Sequence, residues 1–157
     1  MSNIKLKKIF KTACIASDHA GFKLKEDIKD YLIDNNFSVF DVGPYNDRSV
    51  DYPDYAKKLG NRIKLKKSNV GILVCGSGTG MAISANKIKT IRAAVCYNLK
   101  STRLSRQHNN ANIIAIGARF TKKKLSLKLV ETFLKTKFEG GRPVSYTHLR
   151  AHETNVD

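Results

Sequence analysis

Short apolar runs bounded by turn residues recur along this chain, and helical patterns separate them. Thr12-Ala-Cys-Ile-Ala-Ser17 has the unbroken apolar character of a strand buried on both faces. Beyond Asp18-His-Ala-Gly21, residues Phe22, Leu24, Ile28, Tyr31 and Leu32 trace an approximate apolar stripe and predict a helix over residues 22–35. Phe37-Ser-Val-Phe-Asp-Val42 predicts a second strand, closed by Gly43-Pro44. A loop through Asp51-Tyr-Pro53 then leads into a helix reaching about residue 67. Val70-Gly-Ile-Leu-Val-Cys75, rich in β-branched residues, predicts a third strand. It runs into Gly76-Ser-Gly-Thr-Gly80 and a helix over residues 81–88. A fourth strand is expected at 92–96, a fourth helix at 99–107 and a fifth strand at 112–117. A last helix, capped by Thr121, should reach about residue 137.

Five short strands alternating with helices imply parallel pairing through right-handed crossovers, hence an α/β fold: a three-layer α/β/α sandwich around a five-stranded parallel sheet. In such sheets ligands bind outside the carboxyl ends of the strands. That rule selects Asp18-His19, the loop after Val42, the segment from Cys75 to Gly80, Tyr97-Asn98 and the segment from Gly117 to Arg119. The pattern lasts to residue 142, so residues 1–142 form the expected domain; 143–157 continue none of it and are set aside as a non-native or disordered tail. His148 and His152 in that tail stand at i, i+4, but two metal-type residues do not make a zinc site.

The 157 residues suit one domain. No apolar run approaches the ~18 residues of a membrane span, and the basic start lacks the apolar core of a signal peptide. Cys14, Cys75 and Cys96 form no disulfide framework. A soluble, cytoplasmic protein is expected. Charge adds a question: 29 Lys and Arg face 13 Asp and Glu, a formal +16, and from Tyr55 to Val130 there are 17 basic residues and no acidic one. Such a stretch attracts anions, with nucleic acid, membrane surfaces and small phosphates as the classes to weigh. Many of these lysines sit where a solvated helix face would use them. Aromatic interleaving is sparse, and no nucleic-acid motif appears, which leaves a nucleic-acid-binding module as the alternative of another class.

The glycine-rich turn after Cys75 joins a strand to a helix, a place where successive backbone N–H groups suit an anion. It is no P-loop, because Gly-Lys-Ser/Thr is missing. It is no dinucleotide fingerprint either, since Met81 stands where a third glycine would be needed. Cys75 itself, at a strand's carboxyl end beside a helix N-terminus, is placed to favour its thiolate, as a nucleophile or a general base. The plain alternative, a buried thiol acting as a small hydrophobe, fits Cys14 and Cys96. His19 and His108 are both read as lying at ligand-side ends, where a titratable imidazole has a use.

Taken together, Ser17-Asp-His-Ala-Gly-Phe-Lys-Leu-Lys25, Asp51-Tyr-Pro53, Val74-Cys-Gly-Ser-Gly-Thr-Gly80, Ala85-Asn-Lys87, Leu104-Ser-Arg-Gln-His-Asn-Asn-Ala-Asn112 and Glu139-Gly-Gly-Arg142 resemble the type B ribose-5-phosphate isomerase family, which includes galactose-6-phosphate isomerase subunits. The resemblance runs from Lys11 to Arg142. It implies a Rossmann-like fold and an aldose–ketose isomerase of the pentose phosphate pathway, working on D-ribose 5-phosphate and D-ribulose 5-phosphate without metal or other cofactor. It also implies homodimers or homotetramers with sites at subunit interfaces, and no nucleic-acid or membrane partner. Galactose- or allose-6-phosphate remains the alternative substrate. By resemblance, Cys75 is the base that moves a proton between the first two sugar carbons. Gly76, Ser77, Gly78, Thr79 and Gly80 form the anion hole for the enediolate. His108 opens the furanose ring with Asp18 as partner, and His19, Tyr52 and Asn109 touch substrate. Arg119 and Arg142 bind phosphate. The family motif continues past Gly-Gly-Arg142 to a further basic residue; here Pro143 intervenes and Arg150 lies far along the tail.

Overall fold

The structure, a computed structural model, describes residues 9–140. Five strands, β1 (Thr12–Ser17), β2 (Ser38–Gly43), β3 (Val70–Cys75), β4 (Ala93–Val95) and β5 (Ile113–Gly117), form one all-parallel sheet in the order β2-β1-β3-β5-β4. Between and after them run α1 (Phe22–Asp34), α2 (Tyr52–Lys64), α3 (Thr79–Asn86), α4 (Leu99–Gln107) and α5 (Lys123–Lys135). This is the three-layer arrangement that the alternating pattern predicts.

Every residue of β3 and β5 is buried, as the continuous apolar runs require of inner parallel strands. Side chains alternate between two cores. Ile15, Ile72, Val74 and Ile116 pack toward α1 and α5 with Ile28, Leu32, Leu129 and Phe133. Cys14, Leu73 and Ala115 pack toward α2 and α3 with Leu59, Ile63, Met81 and Ala85. The chain passes from β1 outward to β2, then returns across β1 to β3. The connections therefore diverge at the carboxyl ends of β1 and β3, and a crevice opens there. Gly21, which caps α1, lets that helix approach β3: a Cβ there would lie 2.3 Å from the Val74 carbonyl oxygen.

One charged side chain is central to this packing. Lys25 is fully buried, and its Nζ donates to Asp41 Oδ1 at 2.8 Å and to the Pro44 carbonyl at 2.6 Å, beside the Phe22 and Tyr45 rings. Lys29 Nζ reaches Asp41 Oδ2 at 2.9 Å. Burial alone would push the Asp41 carboxyl up, but the two ammonium groups outweigh it and hold the carboxyl below its usual range.

Several boundaries differ from expectation. α3 starts at Thr79, two residues early, because Gly78 at φ +81° turns the chain straight into the helix. β4 shrinks to three residues; the Asn86 side-chain amide accepts from Ala93 N–H at 2.7 Å and donates to Ala93 O at 2.9 Å, occupying the strand edge as a neighbouring backbone would. Thr121 does not cap α5. The N-cap position is Lys122, with no side-chain cap bond, and Thr121 lies buried one residue earlier. By contrast α4 is capped by Asn98, whose Oδ1 accepts from Ser101 N–H at 2.8 Å. Residues 143–157, expected to be a tail outside the domain, lie outside the described residues.

Candidate active site

At the carboxyl ends of β1, β3 and β5 lies a cavity of about 290 Å³, a volume at the lower end for small-molecule sites. Six of the sequence-selected side chains converge on its wall: Asp18, His19, Tyr52, Cys75, Ser77 and Arg119. Gly76 and Gly80 complete the set, with Ala20, which the sequence does not single out as a site residue. Asp18 follows β1 directly. Its N–H donates to Val74 O at 3.1 Å, and its Oδ1 accepts from Gly21 N–H at 2.9 Å, which fixes the carboxylate at the head of α1. His19 is exposed, with Val50 N–H donating to its Nδ1 at a long 3.5 Å.

Cys75 ends β3 with little of its surface exposed. Gly78, folded back by its positive φ, donates its N–H to Cys75 Sγ at 3.1 Å. A side chain at Gly117 would meet the Ser77 backbone at 2.7 Å, so β5 presses the loop into this shape. Ala118 N–H to Cys75 O (2.8 Å) and Arg119 N–H to Gly76 O (3.1 Å) lace the ends of β3 and β5 together. The Arg119 guanidinium then lies over Gly76, 3.1 Å from where a Cβ would stand. The Tyr52 ring closes the opposite side, 2.9 Å from the Cβ position of Gly80. Neither glycine could be an alanine without moving the Arg119 or the Tyr52 side chain.

Gly78 and Thr79 do not line the cavity. Their N–H groups are engaged within the loop, Gly78 with Cys75 Sγ and Thr79 with Ser77 Oγ at 3.3 Å. Burial raises the other two thiols, Cys14 to about 11 and Cys96 in the same direction, consistent with core packing. Among the described residues no cluster of three or more His, Cys, Asp or Glu could hold a metal, and no helix is long and apolar enough to cross a membrane.

His108 and Asn109 do not join this cavity. A loop that leads from a helix back into a parallel strand lies at the strands' amino ends, so the ligand-side placement of His108 is corrected. His108 is the exposed C-cap of α4. Asn109 lines a separate hollow of about 330 Å³ beside β4, its carbonyl accepting from Arg92 Nε at 2.6 Å. Arg142 lies outside the described residues.

A family model described as Ribose/Galactose Isomerase matches residues 13–147. The chain is 39% identical over 132 residues to the ribose-5-phosphate isomerase B of Escherichia coli K12, covering 84% of this chain and 89% of that protein. It superimposes on a ribose-5-phosphate isomerase B of Clostridium thermocellum with a TM-score of 0.89 at 41% identity, covering 93% and 99% of the two chains. The corresponding Mycoplasma genitalium protein, solved with bound ribulose-5-phosphate, gives a TM-score of 0.85 at 38% identity over 92% and 96%.

Proposed function

This chain belongs to the ribose/galactose isomerase family, and from that premise we propose that it interconverts D-ribose 5-phosphate and D-ribulose 5-phosphate, with the Cys75 thiolate as general base. The observation that carries this reading is Cys75 Sγ at a cavity wall, accepting a backbone N–H and facing a space shared with Asp18 and Arg119. An N–H aimed at sulfur suits a thiolate acceptor. In the forward reaction the thiolate takes the proton from sugar carbon 2 of the open-chain aldose. The electron pair moves to form the enediolate, the hydroxyl proton on carbon 2 passes to the oxygen on carbon 1, and the thiol returns its proton to carbon 1 as the carbonyl forms at carbon 2, giving the ketose. Ser77 and Gly80 line the cavity, and their N–H groups bond no described acceptor; they are the donors for the enediolate oxygens. Arg119, whose fork matches a phosphate, holds the far end of the substrate. Asp18 takes part in ring opening.

His108 and Asn109 serve this site from a second copy of the chain, because within one chain neither lines the Cys75 cavity. The bound ligand of the Mycoplasma genitalium relative supports the five-carbon substrate over a six-carbon one. The deciding assay is ketose formation from ribose 5-phosphate, in EDTA, by the wild type and by Cys75→Ala. The variant should keep its melting temperature and lose at least about 100-fold in kcat, the lower bound for removing a general base. Wild-type-like turnover in it would sink the thiolate assignment. Wild-type turnover on galactose or allose 6-phosphate alone would move the substrate to six carbons.

A further inference from the structure

Residues 44–50 lead from β2 toward α2 along a mostly exposed path. Pro44 is buried and Val50 half-buried, while residues 45–49 are exposed. The far end reaches the Cys75 cavity: Val50 meets His19, α2 opens with Tyr52, and both His19 and Tyr52 line the wall. A loop with so little burial is placed by its anchors. Among the described residues three hydrogen bonds tie it to the rest of the domain. Lys25 Nζ donates to Pro44 O at 2.6 Å, Tyr45 Oη to Asp41 O at 3.0 Å, and Val50 N–H to His19 Nδ1 at 3.5 Å. The last is long, and Tyr45 is 73% exposed. The Lys25 bond is the short, buried and charge-assisted one.

Lys25 also belongs to the other wall of the cavity. It stands on α1, and its N–H donates to Gly21 O at 2.8 Å, one turn below the Gly21 N–H that fixes Asp18. Its ammonium reaches both Asp41 oxygens, at 2.8 and 3.0 Å, with Glu26 at 3.3 Å. Charge balance is met by those carboxylates, and the bond to the Pro44 carbonyl adds nothing to it. What that bond does is join α1, which carries Asp18 and His19 at its head, to the loop that leads to Tyr52. At the loop's far end, His19 Nδ1 acts as acceptor, which leaves the ring proton on Nε2 as a donor for a sugar hydroxyl.

We infer that Lys25 is a positioning residue for substrate binding: it pins the start of this loop to α1, so that Val50 orients His19 and Tyr52 is delivered to the cavity. This rests on the isomerase reading, in which His19 and Tyr52 touch substrate. Lys25 itself is fully buried, out of a ligand's reach. Without its ammonium the buried Pro44 carbonyl loses its donor, and the two walls lose the bond that sets their separation. The Cys75 side does not depend on it. Gly78 N–H still meets Cys75 Sγ, and the bonds between the ends of β3 and β5 remain. The loss should therefore fall on binding more than on proton transfer.

The test compares three variants of the full chain: Lys25→Met, Lys25→Met combined with Asp41→Asn, and Lys29→Met. Lys29 pairs with Asp41 and Glu26 but not with Pro44, so its loss weakens the same ion network and spares the anchor. The double variant removes the buried pair as a pair, which leaves no unpaired charge, and it carries the test if Lys25→Met fails to fold. Both Lys25 variants should raise KM for ribose 5-phosphate about threefold to tenfold, the worth of one neutral hydrogen bond to the sugar, with kcat little changed. Both should also move the Val50 amide and His19 ring resonances of the free protein, and Lys29→Met should do neither. A Val50 amide unmoved by Lys25→Met would overturn the anchor, whether or not the protein turns over ribose 5-phosphate. An equal rise in KM with Lys29→Met would overturn it too, since general loosening would then account for the effect. Resonances that move while KM stays would overturn the role in binding and, with it, the placing of His19 and Tyr52 on the substrate.

Discussion

The three thiols of this chain occupy one sheet system and differ in what surrounds them. Cys14 sits mid-strand, its Sγ donating to Val70 O at 3.6 Å, and burial pushes it up to about 11. Cys96 is raised by burial too, despite Thr102 and Ser105 nearby. At mildly alkaline pH both stay protonated and enclosed, whereas Cys75 opens on a cavity. Iodoacetamide applied to the native protein should therefore modify Cys75 first, abolish turnover in step with labelling, and be slowed by ribose 5-phosphate. Peptide mapping that found Cys14 or Cys96 alkylated earlier would contradict this ordering. Much of the site was legible one residue at a time. Asp18, His19, Cys75 and Arg119 each lie at or just past a strand's carboxyl end, and strands are what apolar runs reveal best. Lys25 was not legible: nothing in Phe22-Lys-Leu-Lys25 says which lysine is wholly buried, because its partner Asp41 comes from another element.

At the scale of elements, that same Asp41 decides how α1 is held to β2. Its folded carboxyl titrates below the ordinary value of 3.8 because Lys25 and Lys29 bond it. A depressed carboxylate contributes stability that is full above its unfolded value and is lost as pH falls through the folded one. Asp41→Asn should thus cost about 3 kcal/mol at neutral pH, since it leaves the buried Lys25 ammonium with only the longer contact to Glu26, at 3.3 Å, as counter-charge. The gap to the wild type should close progressively below about pH 3.8, where the wild type also loses the charge. Denaturant unfolding across pH measures it, and a gap that persisted unchanged in acid would show that the ion pair is not its source. Elements themselves were read well where burial is continuous, as in β3 and β5, and less well where a single contact sets the limit. Asn86 filling the β4 edge and Gly78 folding into α3 are tertiary events with no local signature.

For the whole molecule, the alternation of strands and helices was enough to place the crevice but not to complete it. A lone chain puts Cys75 and Asp18 at one end of the sheet, while α4 carries His108 back toward the amino end of β5. Sequence order alone does not show that the Cys75 and His108 motifs lie at opposite ends of the sheet, because the period of the pattern says nothing of which end a loop occupies. If both ends meet across a two-fold interface, each site draws Cys75 from one copy and His108 from the other. Cys75→Ala and His108→Asn homomers would then each be nearly inert on cyclic ribose 5-phosphate. A mixed dimer would hold one doubly damaged site and one intact site. Refolding the two variants together in equal amounts should recover about a quarter of wild-type turnover, since half the dimers are mixed and each regains one of two sites. Mixing that recovers nothing, with mixed dimers present by mass and both variants folded, would place His108 in the same copy's reaction or outside it altogether.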